Sequence, residues 1–243
     1  MSVSNPRRHN RSFLAANEQS LIRWILPRLP AQVKSLHLTA IGLVGSVAAA
    51  FALVACNWTP LWLIVVALGV AINWFGDSLD GSLARYRQEE RPRFGFLVDH
   101  TCDLVSQLLI IVAFGFSPYL SLVSALTILL CYLLFSAYTY IRAATQHVHQ
   151  MSYIGVGATE FRILMIVWPV TAAAFGVHEP LVSGLSKIDF VILALAFMAI
   201  CGLLGKAVLD AVEIARDEQT ALAAARADAE ADVEAQVEPL ATR

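Results

Sequence analysis

Four aspartates stand out by type and spacing: Asp77 and Asp80, then Asp99 and Asp103. They lie in Asp77-Ser78-Leu79-Asp80-Gly81-Ser82-Leu83-Ala84-Arg85 and, after nine intervening residues, in Gly95-Phe96-Leu97-Val98-Asp99-His100-Thr101-Cys102-Asp103. Spacings of i,i+3 and i,i+4 keep each pair on one face of its own helix. The pairs mirror each other about residue 90. An antiparallel hairpin with its tip there would set Asp80 against Asp99 and Asp77 against Asp103. Carboxylates that close do not all stay ionised without cations between them. An oxygen-only donor set suits a hard divalent ion, Mg2+ or Mn2+, with two ions the expected number.

The elements that must position these acids belong to a membrane protein. Of 243 residues, 58% are hydrophobic and only 15% charged, a composition for a membrane bundle and not for a soluble domain. Six apolar spans are expected, at about 37–56, 60–84, 95–116, 119–142, 160–177 and 188–209. Each is long enough to cross roughly 30 Å of hydrocarbon. The fold class expected is all-α and integral to the membrane, a six-span bundle with an N-terminal amphipathic interfacial helix. That helix is placed at 13–29, where Leu14, Leu21, Ile22, Trp24 and Ile25 alternate with Glu18, Gln19, Arg23 and Arg28 before Pro30. The domain reading is a cytosolic N-terminal segment 1–35, a catalytic membrane domain 36–212 and a cytosolic Ala/Glu-rich tail 213–243.

Basic residues sort by side. Arg7, Arg8, Arg11, Arg23, Arg28 and Lys34 precede the first span; Arg85, Arg87, Arg91 and Arg93 follow the second; Arg142 and Arg162 flank the loop after the fourth. The opposite loops hold only Lys187. The positive-inside rule puts both termini and the acidic tip in the cytoplasm, with the chain multi-pass in the inner (cell) membrane. A net charge of -2 suggests no nucleic-acid partner. The first apolar run begins near Leu36, behind a polar segment, unlike a cleavable signal peptide. Cys56, Cys102, Cys131 and Cys201 lack metal-type spacing and are expected to be buried packing residues.

In this setting the acids are more than charged span ends. Asp77 and Asp103 sit about 13 residues from the tip, roughly 20 Å along a helix, and repeated intramembrane acids on one face point to a functional cavity. Gly81 and Ala84 lie four residues after Asp77 and Asp80, and Gly95 lies four before Asp99. Small residues there let a bulky ligand approach the backbone, or allow close helix packing. Arg85, one turn further on, could hold a phosphate. A divalent-cation transporter is the rival of a different class. It accounts for the carboxylates but not for Gly81, Ala84, Arg85 and Gly95.

The pattern Asp-x2-Asp-Gly-x2-Ala-Arg-x9-Gly-x3-Asp-x3-Asp from Asp77 to Asp103 resembles the signature of the CDP-alcohol phosphotransferases, also called CDP-alcohol phosphatidyltransferases. The resemblance implies a phospholipid-synthesis enzyme that moves a phosphoalcohol from a CDP-linked donor to a hydroxyl acceptor, lipid or soluble, and releases CMP. It implies a homodimer in the bilayer. Carried over, Asp77, Asp80 and Asp99 would be metal ligands, and Asp103 the general base that also touches a metal. Gly81, Ala84, Arg85, Asp80 and Gly95 would surround the nucleotide.

Two branches of that family remain open. Asp99-His100-Thr101-Cys102-Asp103 is similar to a form seen in choline- and ethanolamine-phosphotransferases, which use a CDP-amino alcohol with diacylglycerol. Gly157-Ala158-Thr159-Glu160 resembles the Gly-Pro-Thr-Glu of that branch. Tyr140-Ile141-Arg142-Ala143 and Glu160-Phe161-Arg162 look like the branch using CDP-diacylglycerol with a soluble alcohol. Ala144, where a second basic residue is common, argues against a phosphorylated acceptor. Arg142, Glu160 and Arg162 are the acceptor-pocket candidates, or else pair among themselves. His147 and His149 are taken as loop residues.

Overall fold

The computed structural model describes residues 15–146, 158–176, 180–182 and 185–241. Arg7, Arg8, Arg11, Leu14, His147, His149, Gly157 and residues 178–179 between the last two expected spans lie outside them. Seven α-helices appear among the described residues: α1 Ala15–Ile25, α2 Ser35–Ala55, α3 Leu63–Tyr86, α4 Pro92–Gly115, α5 Leu122–Gln146, α6 Ala158–Phe175 and α7 Lys187–Ala241. Five described segments are long and apolar enough to cross a membrane: Ser35–Ala55, Pro60–Tyr86, Pro92–Gly115, Leu122–Thr145 and Lys187–Ala227. Between α6 and α7 a two-stranded antiparallel pair, β1 Pro180–Val182 with β2 Leu185–Ser186, stands between the last two expected spans, where no strand was expected.

Local chemistry sets the helix ends. His37 Nδ1 accepts the Lys34 N–H at 3.3 Å and starts α2. Pro60 opens a 3-10 turn, Pro60–Trp62, behind Thr59, whose hydroxyl accepts the Leu61 N–H. Pro92 occupies the first turn of α4, where its missing N–H costs nothing. The chain leaves α3 through a Schellman turn: Glu89 N–H bonds the Ala84 carbonyl and Gln88 N–H the Arg85 carbonyl. Gln88 takes the left-handed conformation, φ 59°, that such a turn requires. The reversal thus falls where the mirror of the acid pairs put it. Arg87 then donates to the carbonyls of Leu29, Pro30, Ala31 and Val33, tying the end of α3 to the α1–α2 link.

Two compact units divide the chain, Met1–Ala196 and Phe197–Arg243. In the first, α2 packs along both α3 and α4, α5 lies on α4, and α6 lies on α3. The expected α3–α4 hairpin is therefore looser than foreseen, because α2 holds most of the contact with both. Glycines make α2 and α3 touch backbone to backbone. A Cβ at Gly45 would stand 2.6 Å from the Gly69 carbonyl, and one at Gly69 2.7 Å from the Ala49 nitrogen. A Cβ at Gly76 would collide with Leu38 and Gly42 backbone. Ala49, Ala52, Leu53, Val66, Val70, Ile110 and Phe114 continue this contact as the buried core.

α1 packs rather than floating free of the bundle. Ile22, Ile25 and Phe75 surround a small core of Leu26, Leu38, Leu79 and Leu83. Leu21 and Trp24 stay exposed on its other side, with the Arg28 guanidinium 4.0 Å above the Trp24 ring. At the far end of the bundle, Asp189 is buried and accepts hydrogen bonds from Ser121, Ser124 and Ser186, which caps α7. The cysteines only partly meet expectation. Cys56 is buried and Cys102 and Cys131 are half-buried, whereas Cys201 is exposed on α7, which buries little of its apolar length. In the second unit α7 continues as one helix to Ala241 and carries a Lys206–Asp210 ion pair one turn apart.

Candidate active site

The C-terminal half of α3 and the first half of α4 bring the acids together beside the start of α2. Asp77, Asp99 and Asp103 each present an oxygen within 4.8 Å of the other two. Asp80 lines the same cleft but faces differently: its Oδ2 accepts the Thr39 hydroxyl at 2.6 Å, and it is buried. Gly42, Leu43, Asn73, Cys102 and Ser106 complete the lining. Sequence spacing thus located the cluster, while the division into three converging acids and one held by Thr39 comes from the structure.

A cation from α6 enters the cluster. Arg162 is 3% exposed; its Nη2 lies 2.7 Å from Asp77 Oδ2 and 3.5 Å from Asp103 Oδ1. Its Nε donates to Asn73 Oδ1 at 2.8 Å. The Asn73 amide donates in turn to Ser46 Oγ at 2.9 Å, to the Gly42 carbonyl at 3.3 Å and to Ser106 Oγ at 3.5 Å. One buried side chain therefore joins α2, α4 and α6 beneath the acids. Thr39, Asn73 and Ser106 were missed as site residues. Asn73 is four before Asp77 and Ser106 three after Asp103, so shared helix faces were the signal that could have found them.

The remaining candidates spread around the cleft. Arg85 is exposed, donates to Ser82 Oγ at 3.1 Å, and holds Nη1 3.4 Å from where a Cβ at Gly81 would sit. A Cβ at Gly95 would meet nothing within 4 Å, and Ala84 is half-buried. Gly95 thus faces open space and Gly81 only the end of the Arg85 side chain, unlike Gly69 and Gly76, which face backbone. Glu160 is in the first turn of α6, and Arg142 stands near the end of α5, both half-buried. His100 lies between Phe96 and Tyr140 in tilted ring contacts, centroids 4.1 and 5.3 Å away, with Nδ1 3.2 Å from Asp99 Oδ2. It acts as packing that also touches the cluster.

An all-carboxylate donor set fits a hard divalent ion better than Zn2+, which prefers nitrogen and sulfur. Cys102 lines the cleft but is not among the three residues whose ligand atoms converge.

The geometry is that of a membrane helix bundle with an acidic cleft and an internal arginine. The family model for CDP-alcohol phosphatidyltransferase matches residues 35–215, and the chain belongs to that family. It is therefore an integral membrane transferase of phosphate-containing groups, acting in phospholipid synthesis on a CDP-alcohol donor and a hydroxyl acceptor. No curated protein matches the chain.

Proposed function

We propose that this cleft transfers a phosphoalcohol from its CDP-linked donor to a hydroxyl with release of CMP, in an Mg2+- or Mn2+-dependent reaction. The observation that carries the reading is the approach of Asp77, Asp99 and Asp103 to within 4.8 Å, inside the matched segment. These three, with Asp80 beside them, would hold the ions. Bound there, the metal would neutralise charge on the donor pyrophosphate and on departing CMP.

The chain's own residues account for the rest. Gly81, Ala84 and Gly95 leave room for the nucleotide, and Arg85 lies over Gly81 where a phosphate would pass. Asp103 takes the proton from the acceptor hydroxyl as its oxygen bonds to the donor's β-phosphorus and the bond to CMP breaks. Arg162 bridges Asp77 and Asp103, and with Glu160 and Arg142 it would serve the acceptor side. Thr39 keeps one Asp80 oxygen fixed. We further propose six spans, α6 included, with both termini and the cleft cytoplasmic in the inner membrane, α1 on the leaflet surface, and a homodimeric assembly. The membrane domain is taken as 36–212 and the tail as 213–243.

The experiment is a panel. Purified protein is incubated with CDP-diacylglycerol plus soluble alcohols, or with CDP-choline or CDP-ethanolamine plus diacylglycerol. CMP and the lipid product are both measured. CMP formed only with a matched acceptor supports transfer and selects the branch. Silence with every pair rejects the reading.

A further inference from the structure

Glu18 of α1 makes three hydrogen bonds on two other helices. Its Oε1 accepts from Trp74 Nε1 at 3.0 Å and from Ser78 Oγ at 2.9 Å, both on α3. Its Oε2 accepts from Thr159 Oγ1 at 2.9 Å, on α6. The positions matter. Trp74 and Ser78 are one turn apart and bracket Asp77 in sequence. Thr159 is three residues before Arg162, about one turn of α6. The α3–α6 contact thus has two polar bridges: Arg162 with Asp77 and Asn73 inside the cleft, and the Glu18 carboxylate from α1.

We infer that Glu18 is a positioning residue for transfer: it clamps α3 to α6 from the N-terminal helix and so sets Arg162 against Asp77 and Asp103. A carboxylate suits the task because it offers two acceptor oxygens to three donors, and charge-assisted bonds are stronger than neutral ones. The packing of Ile22, Ile25 and Leu26 brings Glu18 to this place. The α1 helix is then part of the catalytic unit as well as a surface element. Loosening the clamp moves α6, which carries Arg162, relative to α3. It leaves Thr39, Asp80, Gly81 and Arg85, the donor side on α2 and α3, where they are.

The inference rests on the acceptor-side role proposed for Arg162, so its test has an arm that needs no turnover. In full-length reconstituted protein with native cysteines replaced by serine, Ile22→Cys is labelled by a maleimide. Glu18→Ala is expected to speed that labelling at least five-fold. In the otherwise wild-type chain, Glu18→Ala and Thr159→Val should each lower kcat/KM for the acceptor about ten-fold. The donor KM should change less than two-fold, and the double variant should be no worse than the poorer single one. Glu18→Gln, which keeps one acceptor oxygen, should recover part of the loss. Unchanged labelling would overturn the clamp. Equal losses for donor and acceptor, or additive losses in the double variant, would reduce Glu18 to general packing and overturn its positioning role. If wild-type protein transfers nothing from any CDP donor, the proposed function fails, and the labelling arm alone decides the clamp.

Discussion

Arg162 Nη2 lies 2.7 Å from Asp77 Oδ2, a contact between residues 85 positions apart. The same guanidinium reaches Asp103 at 3.5 Å, so the cluster of acids carries its own partial neutralisation. Removing one partner of a buried ion pair leaves the other charge uncompensated, at a cost of about 3–5 kcal/mol. Arg162→Ala should therefore lower Tm in chelator by more than any surface substitution. Added Mg2+ should raise the variant's Tm by more than it raises that of wild type, because the acids then depend wholly on the ion. Arg162→Lys keeps the charge but cannot bond Asn73 and Asp77 together, and should restore stability better than activity. Equal Mg2+ shifts in variant and wild type would separate the arginine from the ion site.

The glycines divide into two kinds, and substitution should tell them apart. Gly69→Ala forces a methyl to within 2.7 Å of α2 backbone and should cost about 1–3 kcal/mol through overpacking. Gly81→Ala meets only the end of the Arg85 side chain at 3.4 Å and should leave Tm nearly unchanged. Gly81→Leu should raise the KM for the CDP donor with little loss of stability. Measuring Tm beside donor KM checks both, and a destabilised Gly81→Leu with normal donor KM would make Gly81 a packing residue.

Asp103 and Asp99 should separate by role. Asp103→Asn keeps the shape and loses the base, so kcat should fall at least 100-fold while donor binding, read by labelled CDP-donor retention, changes little. Asp99→Asn should weaken metal-dependent donor binding as well. Near-normal turnover in Asp103→Asn would assign the proton to another group.

The acid cluster was legible because its information is local. Two i,i+3 and i,i+4 pairs mirrored about residue 90 needed only helix geometry, and Gln88 turns the chain within two residues of that centre. The helix order was legible from hydropathy, since each expected span is a long apolar run. The partners of the acids were not. Thr39 reaches Asp80 from 41 positions away and Arg162 reaches Asp77 from 85, while Asn73 anchors Arg162 across 89, all in hydrogen bonds that only tertiary packing creates. Glu18 looked like the wet side of a surface helix, since its periodicity does not say that Trp74 and Thr159 wait opposite. The 180–186 strand pair escaped because Pro180 and a handful of residues carry no strand periodicity.

Orientation can be read with single cysteines at exposed turns. Glu90 lies in the α3–α4 turn, and Trp58 is 76% exposed in the α2–α3 turn at the opposite end of α3. In intact cells, with native cysteines replaced, Trp58→Cys should react with an impermeant maleimide and Glu90→Cys only after permeabilisation. The reverse pattern would put the acidic cleft outside, away from cytosolic nucleotides.

The central claim is that Asp77, Asp99 and Asp103 form a divalent-ion site that CMP-releasing transfer requires. The most direct measurement is CMP formation by purified protein across an Mg2+ or Mn2+ titration after chelation, for wild type and Asp99→Asn, with the donor–acceptor pair found by the panel. The account predicts no turnover in chelator, full recovery on returning the ion, and a half-saturating ion concentration at least ten-fold higher in Asp99→Asn. Undiminished CMP release in excess chelator, or the same ion dependence in both proteins, would contradict it.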